Sequence, residues 1–342
     1  MERKKNIGRD VNRIPLYTVV PRSVPFSLGI AASDICNFKC NYCNQSTPQG
    51  IKNARIIPWE DFLILAEQIK DLSDFGKEHG EDIKNIRFIG NGEPLINKRL
   101  PDMIAYLKQL GVSKRFEVTT NASLLTHEMS DRLIESGITR LLISIQGVNS
   151  ERYKDICRYN MDMDKLIENI AYFYKNKNKA EVYIKTVDIS LKSDEETKLF
   201  YEMFEPICNE INVEKIMNAC ADVDYSKITD NDLSKTMRYG QEFKKKICCD
   251  TLFMYMNIHS NFNVDCCGCI YPPLFIGNAY KLPLKEIWNG EKHREVMKLH
   301  LQGKKDSINM CKNCSSINSY NGFIEDNLDE HLKDVLERVC KL

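Results

Sequence analysis

Three cysteines near the amino terminus have a spacing that suits a metal cluster. Cys36, Cys40 and Cys43 form a C-x3-C-x2-C pattern directly after an apolar, strand-like run. A cubane iron–sulfur cluster has four irons and is usually held by four cysteine thiolates. Three thiolates leave one iron without a protein ligand, and an open position is typical of catalytic metal sites. Spacing alone also allows a zinc knuckle that takes its fourth ligand from elsewhere, or three buried apolar cysteines.

The carboxyl-terminal third of the chain holds a second set of cysteines. Its members are Cys248, Cys249, Cys266, Cys267, Cys269, Cys311 and Cys314. Two separated pairs and a final C-x2-C supply the ligands that a closed four-ligand cluster or a zinc ribbon needs. The other four of the 14 cysteines are expected to be small core residues or unremarkable thiols. These are Cys157, Cys208, Cys220 and Cys340.

The overall composition is that of an ordinary soluble globular protein. With 342 residues, 43% hydrophobic and 28% charged, the chain can bury one large core, or one core and a small satellite domain. Lys+Arg and Asp+Glu both total 48, so the zero net charge argues for neither a nucleic-acid nor an acidic-membrane partner. No apolar run suits a signal core or a membrane span. We therefore predict a cytoplasmic protein whose clustered cysteines bind metal.

Strand-like and helix-like segments alternate along the first two thirds of the chain. The strand-like segments are 26–32, 84–89, 115–120, 139–145, 181–189 and 211–216. The helical patterns are 58–72, 100–110, 127–136, 163–175 and 194–204. This alternation predicts an α/β fold with a parallel sheet and crossover helices, and six such units suit an open or partial barrel.

Polar residues follow three of these strands at the edge where a parallel barrel places its chemistry. A glycine-rich turn with one carboxylate, Glu93, follows the second strand, and Asn121 follows the third. Ser144 and Gln146 follow the fourth. Glycines permit close backbone approach and unusual dihedrals. An ordinary turn explains each of these segments when it is taken alone.

Taken together, the cysteine loop and these turns resemble the radical S-adenosylmethionine (radical SAM) superfamily. The family signature has the same three-cysteine spacing with an aromatic residue before the last cysteine, which here is Tyr42. The resemblance implies a partial (β/α)6 TIM-like barrel and a [4Fe-4S] cluster whose unique iron is chelated by S-adenosylmethionine. It also implies reductive cleavage of that cofactor to a 5′-deoxyadenosyl radical, which abstracts a hydrogen atom from a substrate. The cofactor then carries the difficult chemistry, and the protein supplies position and exclusion.

The resemblance assigns roles to the polar turns. The family's glycine-glycine-glutamate-proline motif, which contacts the methionyl amino group, is similar to the segment Gly90, Asn91, Gly92, Glu93 and Pro94, with Asn91 at the first glycine position. Asn121 and Ser144 resemble the family's Thr-Asn and Ser-x-Asp-Gly turns, and Gln146 replaces the commoner aspartate. Arg158 resembles the arginine that pairs with the cofactor carboxylate, a task that suits a bidentate guanidinium. A surface arginine is the alternative.

The carboxyl-terminal cysteine region resembles the auxiliary-cluster modules called SPASM domains and their shortened twitch form. The resemblance implies a probable second [4Fe-4S] cluster. Two ligand sets compete, since Cys248 with Cys266 and Cys249 with Cys267 have the same spacing. We prefer Cys249, Cys267, Cys311 and Cys314, because this set aligns the apolar positions of the family pattern. Phe262 stands where that pattern carries glycine.

Spare cysteines in this region bear on the reaction type. A free thiol of Cys248, Cys266 or Cys269 near the active site would return a hydrogen atom to a substrate radical, which gives epimerisation. Without such a donor, the auxiliary cluster would accept an electron, which gives dehydrogenation or cross-linking. Packed thiols without a role explain each of these cysteines equally well. We expect His293 and His300, seven apart on one helical stretch, to be surface residues without a role.

The expected organisation has five parts. They are an amino-terminal extension (1–24) along the barrel edge, the barrel (25–220), a bridging helical segment (221–247), the auxiliary-cluster domain (248–316) and a carboxyl-terminal helix (317–342). We expect an oxygen-sensitive enzyme that oxidises or epimerises a small molecule such as a sugar or aminocyclitol, with flavodoxin or ferredoxin as electron donor. The alternatives are a maturase that epimerises, cross-links or oxidises a ribosomal peptide or sulfatase, and a non-enzymatic zinc or iron–sulfur scaffold.

Overall fold

The computed structural model describes residues 13–52, 54–240, 245–267, 272–312, 314, 317 and 326–341. Its strands form one nine-stranded sheet in the order β6-β5-β4-β3-β2-β1-β7-β8-β9. The strands are β1 (Ser27–Ile30), β2 (Asn85–Phe88), β3 (Phe116–Thr120), β4 (Arg140–Ser144), β5 (Glu181–Val187), β6 (Glu210–Glu214), β7 (Tyr255–Ile258), β8 (Asn263–Asp265) and β9 (Phe275–Asn278). Strands β1 to β7 pair in parallel, and β8 and β9 continue the sheet antiparallel.

Helices follow the barrel strands and cover one face of the sheet. They are α1 (Leu16–Val19), α2 (Pro48–Ile51), α3 (Trp59–Glu78), α4 (Leu100–Gln109), α5 (His127–Ser136), α6 (Ser150–Cys157), α7 (Met163–Asn176), α8 (Asp194–Phe204), α9 (Leu284–Trp288), α10 (Glu291–Leu301), α11 (Asn309–Lys312) and α12 (Leu332–Cys340). Apolar side chains on alternate strand positions, such as Leu28, Val118 and Ile143, belong to one core with helix residues such as Leu65 and Ile170. The predicted open barrel is confirmed, and the observed strands lie within a few residues of the predicted ones.

The opposite, inner face of the barrel is lined by polar side chains. Strand register aligns Arg87, Glu117 and Arg140 across β2, β3 and β4, and Lys185 of β5 lies beside Ser144 of β4. Ion pairs join these strands, because oppositely charged neighbours face each other at short distance. Of these residues, Lys185 lies beside the carboxyl end of β4, where Ser144 is, whereas Glu117 and Arg140 lie near the amino ends of β3 and β4.

The carboxyl-terminal region differs from the expected organisation in two respects. Strand β7 pairs directly with β1, so the strands of the cysteine-rich region continue the barrel sheet. The predicted bridging helical segment contains only 3-10 turns in the described part of 221–247. That segment is rich in turn-forming Asp, Asn and Ser side chains, which compete with the helical backbone for hydrogen bonds.

The two chain ends pack against each other. In the amino-terminal extension, the Arg22 carbonyl accepts a 3.0 Å hydrogen bond from Trp288 Nε1 of α9, and Tyr17 stacks on His331. The extension thus contacts the carboxyl-terminal helices, and residues 1–12 lie outside the described residues. In the carboxyl-terminal part, α12 buries Val335 and Val339. This helix begins only at Leu332, whereas a helix was predicted over 317–342, of which 318–325 and 342 lie outside the described residues.

Candidate active site and auxiliary-cluster site

The cysteine loop follows β1 and is anchored on the end of helix α6. The backbone N–H groups of Lys39 and Asn41 each donate a 2.8 Å hydrogen bond, to the carbonyl oxygens of Cys157 and Ile156. The last carbonyls of a helix have no partner within the helix, so the loop satisfies them and is held in return. Sequence reasoning missed α6, although Asn149 caps it through the N–H of Arg152.

The three loop thiols lie close to one another and are largely shielded from solvent. Burial raises the pKa of the Cys36 thiol to about 12, and burial followed by the nearby Cys40 thiol raises that of Cys43. A bound metal reverses this preference, because coordination deprotonates a thiol outright. Among the described residues, no three His, Cys or carboxylate side chains converge as around a single ion. Cubane ligands each bind a different iron.

Two further thiols surround this loop, although we expected neither to take part in a site. Cys157 is fully buried beside Cys40, and hydrogen bonding to Cys157 raises the pKa of Cys40. Cys220 lies near Cys43 and interacts with Tyr225, whose hydroxyl donates to the Tyr42 carbonyl at 3.0 Å. Sequence spacing carries no signal for these contacts, because Cys157 ends helix α6 and Cys220 lies beyond β6, both far from the cysteine loop in the chain.

The glycine-rich turn lies directly against the cysteine loop. A Cβ on Gly92 would meet the Ser33 carbonyl oxygen at 2.4 Å and the Ile35 carbonyl oxygen at 2.5 Å. Glu93 N donates to the same Ile35 carbonyl at 2.9 Å. Only glycine allows this approach at position 92. The glycine pattern therefore holds the second turn and the cysteine loop in contact.

Glu93 ties the ends of β2 and β3 together. Its carboxylate accepts hydrogen bonds from Leu95 N at 3.0 Å, Thr120 Oγ1 at 2.6 Å and Asn121 N at 2.7 Å. Asn121 Nδ2 then donates to Asn37 Oδ1 in the cysteine loop at 2.9 Å. The predicted residues Glu93 and Asn121 are thus brought together with the loop, and their polar atoms form one network.

The buried Glu93 carboxyl predicts a defined pH dependence of stability. Burial raises its pKa from 4.5 to about 7, against the opposing effect of the three donors. Between those pH values the folded protein keeps a proton that the unfolded chain has lost, so this group lowers stability as pH rises. We expect the stability of Glu93→Gln relative to wild type to increase by about 3 kcal/mol from pH 4.5 to pH 7. Urea unfolding of both apo-proteins across that range tests this, and a constant difference would contradict it.

Tyr42, Ser144 and Gln146 meet at the end of β4. The buried Tyr42 hydroxyl donates to Gln146 Oε1, and Gln146 Nε2 donates to the Ser144 carbonyl at 3.4 Å. Burial raises the pKa of Tyr42 well above its usual range, so it remains a neutral donor. The amide oxygen of Gln146 therefore accepts the hydrogen bond of a neutral Tyr42 hydroxyl.

Arg158 occupies a different position from the buried arginine of the same segment. It caps α6 in the left-handed conformation with φ 55°, and its side chain is exposed. Within the described residues, the Arg158 side chain forms no ion pair and no hydrogen bond. Arg152 is the buried guanidinium, and it donates to the carbonyls of Ile189 and Ser190 at 2.7 and 3.3 Å. Arg158 is thus a free cation beside the cysteine loop.

The carboxyl-terminal cysteines of the preferred set line one cavity. The cavity has an empty volume of about 440 Å³, and its lining includes Cys249, Cys267, Cys311 and Cys314. Leu274 N donates to the Cys267 sulfur at 3.2 Å. Burial raises the pKa of Cys249 above its usual range and that of Cys311 to about 12. Four thiols around one enclosed space provide the donor set of a closed cluster.

The alternative cysteines are placed differently. Cys248 and Cys266 are buried in the apolar core, with 1% and 0% exposure. Cys269 lies outside the described residues. A hydrogen-donor role for these three thiols stays a prediction. Cys249 and Cys267 line the cavity, and their role as ligands also stays a prediction.

Three residues near the cavity depart from expectation. His293 and His300 of α10, expected at the surface, are 0% and 2% exposed. Burial lowers the pKa of His300 to about 4, so its ring is neutral. Phe262 adopts φ +66° in the turn between β7 and β8, where the family pattern has glycine. It is fully buried and stacks on Tyr280, with ring centroids 3.9 Å apart, and this packing offsets the backbone strain.

Comparison with known families identifies both cysteine regions. Residues 30–204, about half of the chain, match the model of the radical SAM superfamily. The chain belongs to the radical SAM superfamily. Residues 248–315 match the SPASM model, described as an iron–sulfur cluster-binding domain. This radical SAM protein therefore uses a [4Fe-4S] cluster with S-adenosylmethionine, and its SPASM domain implies an auxiliary iron–sulfur cluster.

The curated relatives match part of the radical SAM protein. A probable GTP 3′,8-cyclase of Sulfolobus acidocaldarius is 31% identical over 143 residues, which is 42% of this chain and 41% of that protein. A GTP 3′,8-cyclase of Rhizobium etli is 29% identical over 194 residues, which is 54% of this chain and 51% of that protein. The chain thus spans about half the length of these relatives.

Solved structures match over a larger share of the chain. BtrN in complex with AdoMet and 2-DOIA has a TM-score of 0.57 at 17% identity, covering 89% of this chain and 98% of that one. Streptococcus suis SuiB bound to precursor peptide SuiA has a TM-score of 0.56 at 15% identity, covering 80% and 66%. AdoMet-bound anSMEcpe gives 0.58 at 16%, covering 92% and 98%. At these identities the likeness shows a shared fold.

The residues of both sites fit the clusters that the two domains imply. The Asp34 Oδ1, Asn41 Oδ1 and Asn44 Nδ2 atoms around the first cysteine set are buried without a hydrogen-bond partner among the described residues. Buried polar atoms of this kind are normally satisfied, so they suit a polar occupant. The second set has four thiols at one cavity. No helix in the described residues is long and apolar enough to cross a membrane.

Proposed function

We propose that this protein abstracts a hydrogen atom from a hydroxylated small molecule, such as a sugar or aminocyclitol, and oxidises or epimerises it. When bound, S-adenosylmethionine and its cluster supply the 5′-deoxyadenosyl radical for this step. An external one-electron donor such as flavodoxin or ferredoxin would supply the electron for cleavage. Reduced thiols in both cysteine sets require a reducing compartment.

The observation that carries the small-molecule proposal is the charged inner face of the barrel, which runs from Arg140 and Glu210 at the amino ends of β4 and β6 to Glu214 at the carboxyl end of β6. Arg87 Nε lies 3.3 Å from Glu117 Oε2, and Arg140 Nη2 lies 2.7 Å from Glu210 Oε2. Their side chains are 8–15% exposed. Paired charges keep hydrogen-bonding capacity for hydroxyl and amine groups, whereas an apolar ligand would desolvate them without compensation. This lining therefore favours a small polar substrate.

A second ion-pair cluster extends the same face. Glu214 Oε2 lies 3.0 Å from Lys185 Nζ and 2.8 Å from Arg238 Nη2, and Glu214 Oε1 accepts from the Tyr183 hydroxyl at 3.1 Å. Despite burial, the two cations hold the pKa of Glu214 at about 2. The cluster is thus fully ionised at neutral pH. It offers a fixed polar surface rather than a titrating acid or base.

Residues at the carboxyl ends of the strands are proposed to position the cofactor. The carbonyl oxygens of Asn91 and Asp34 form an acceptor pair that the Gln45 amide occupies at 2.6 and 2.8 Å. Such a pair also suits the cofactor's amino group. Arg158 is proposed to bind the carboxylate, because its side chain is exposed and it directly follows Cys157, whose carbonyl holds the cysteine loop.

Arg158→Ala tests the proposed carboxylate contact. Loss of a charge-assisted hydrogen bond costs about 1.5–3 kcal/mol, so we expect the Kd for S-adenosylmethionine to rise about 10- to 100-fold. Anaerobic calorimetric titration of the reconstituted protein measures this. The control is Arg132→Ala, which removes a surface ion pair with Asp102 and should leave the Kd unchanged. An unaltered Kd in Arg158→Ala would assign that residue to the surface.

The proposed function is tested on anaerobically reconstituted protein with dithionite as reductant. We first expect two clusters, which correspond to about eight irons per chain, and 5′-deoxyadenosine from S-adenosylmethionine. Deuterated aminocyclitols and sugars, GTP and a short peptide are then compared for deuterium transfer into 5′-deoxyadenosine. Transfer from a polyol supports the proposal. Transfer from GTP alone or from the peptide alone assigns a different substrate class.

The peptide alternative draws on the fold neighbours SuiB, bound to precursor peptide SuiA, and anSMEcpe, bound to Cp18Cys peptide. The GTP alternative draws on the names of the partial relatives. The charged inner face favours the polyol over the peptide. The substrate comparison above separates all three.

A further inference from the structure

His300 is a buried polar residue at the auxiliary-cluster cavity that the ligand set leaves unexplained. It lies near the end of α10, is 2% exposed, and lines the same cavity as Cys249, Cys267, Cys311 and Cys314. Its neighbours in the cavity wall are largely apolar, such as Leu252 and Leu274. A polar ring at such a place normally has a partner for each nitrogen.

Geometry fixes the protonation of the two ring nitrogens. Cys249 N donates a hydrogen bond to His300 Nδ1 at 3.3 Å, so Nδ1 presents its lone pair. In a neutral imidazole the proton then resides on Nε2. His300 Nε2 is buried and has no hydrogen-bond partner among the described residues. His300, which lines the cavity, thus holds a buried N–H donor that finds no acceptor in the described part of the chain.

His293, seven residues earlier on the same helix, has a different hydrogen-bonding environment from His300. Both of its ring nitrogens face carbonyl oxygens, Trp288 O at 2.7 Å and Leu252 O at 2.9 Å. Whichever ring nitrogen of His293 carries the proton therefore has an acceptor. Lys305, another polar side chain in the described cavity wall, contacts Asp306 Oδ1 at 2.9 Å and the Cys311 carbonyl at 3.4 Å. Among the described residues of this wall, the buried side-chain nitrogen that has no partner is that of His300.

We propose that His300 Nε2–H donates a hydrogen bond to a sulfur of the auxiliary cluster and thereby raises its reduction potential. The acceptor is a bridging sulfide or a cysteine thiolate. Because Nε2 carries the proton, His300 is a positioning residue and not an iron ligand. Hydrogen bonds to cluster sulfurs are among the factors that set such potentials. A donor stabilises the more negative, reduced cluster, which makes the oxidised cluster a better electron acceptor.

The inference rests on the auxiliary cluster and not on the identity of the substrate. Its test is an EPR-monitored redox titration of the reconstituted full chain. Signals that do not change when S-adenosylmethionine is added are assigned to the auxiliary cluster. We expect His300→Phe to shift the auxiliary potential to a more negative value. His300→Gln, which keeps an N–H group at a similar reach, should return the potential towards that of wild type.

A spectroscopic readout separates hydrogen bonding from mere packing. In D2O exchange experiments, electron–nuclear double resonance should show, in addition to the exchangeable Leu274 N–H at the Cys267 sulfur, a second exchangeable proton coupled to the reduced auxiliary cluster in wild type and His300→Gln. This coupling should disappear in His300→Phe. An unchanged potential together with a retained coupling in His300→Phe would overturn the inference.

If His300→Phe loses the auxiliary cluster, a second measurement on wild type tests the hydrogen bond between His300 and the cluster. Wild-type protein with ¹⁵N-labelled histidine should show a weak nitrogen coupling to the reduced auxiliary cluster, transmitted through the hydrogen bond. No coupling, or a strong coupling typical of direct ligation, would overturn the inference. Wild type that binds only four irons would refute the auxiliary cluster itself. Eight irons with neither effect would refute the role of His300 alone.

Discussion

Cys40→Ala is expected to abolish cleavage of S-adenosylmethionine. Cys40 is the central member of the first cysteine set and lies within the loop that α6 anchors. Loss of residues that only support metal ligands costs about 10- to 100-fold, so loss of a ligand should reduce 5′-deoxyadenosine formation by more than about 100-fold. The measurement is 5′-deoxyadenosine yield after dithionite reduction, together with iron content.

The matched variant is Cys314→Ala in the second cysteine set. It should lose the auxiliary cluster but retain at least part of the uncoupled cleavage, because the first set remains intact. Equal loss in both variants would show that the two clusters are not independent. Normal cleavage by Cys40→Ala would contradict the assignment of the first set altogether.

Gly92→Ala is expected to have the second-largest effect. The new methyl group would lie 2.4–2.6 Å from backbone atoms of residues 33–35, and backbone cannot move aside as a flexible side chain can. The cysteine loop must therefore shift, and with it the ligand geometry. Because an active-site displacement of about 1 Å costs about 100-fold, we expect a loss of roughly that size in 5′-deoxyadenosine formation, with reduced iron content.

Gly111→Ala provides the control for Gly92→Ala. Gly111 has φ +66° at the end of α4, and a Cβ there would meet no atom within 4 Å. The change costs about 1–2 kcal/mol of backbone strain but displaces nothing. We expect slightly reduced thermal stability with normal cluster content. Full activity in Gly92→Ala would show that the turn and the cysteine loop can separate without consequence.

The sequence predicted the barrel because its period is strong and repeated. Strands such as β4 and β5 are rich in buried apolar residues. Helices of the barrel have clear caps, such as Thr126 at the start of α5. The short strands β8 and β9 were not predicted, because three or four residues are too few to show a strand periodicity. Helix α6 was not predicted, because the buried Arg152 interrupts the apolar periodicity of its sequence.

In the candidate site too, some residues could be predicted from local sequence motifs and others could not. Cys36, Glu93 and Ser144 were predictable because their chemistry appears as local motifs at strand ends. The proximity of Cys220 to Cys43 depends on tertiary packing and has no local signal. The burial of His300 could not be predicted either, since a helical histidine pattern does not show which face meets a cavity.

The pairing of β7 with β1 has a consequence for how the two halves of the molecule depend on each other. Strand β1 is hydrogen-bonded on both sides, by β2 and by β7, and it leads into the first cysteine set. A chain cut before β7 would leave β1 as an open sheet edge with a row of unpaired amides and carbonyls, which invites association with other chains. The carboxyl-terminal region thus protects, by strand pairing, the same strand that leads into the first cysteine set.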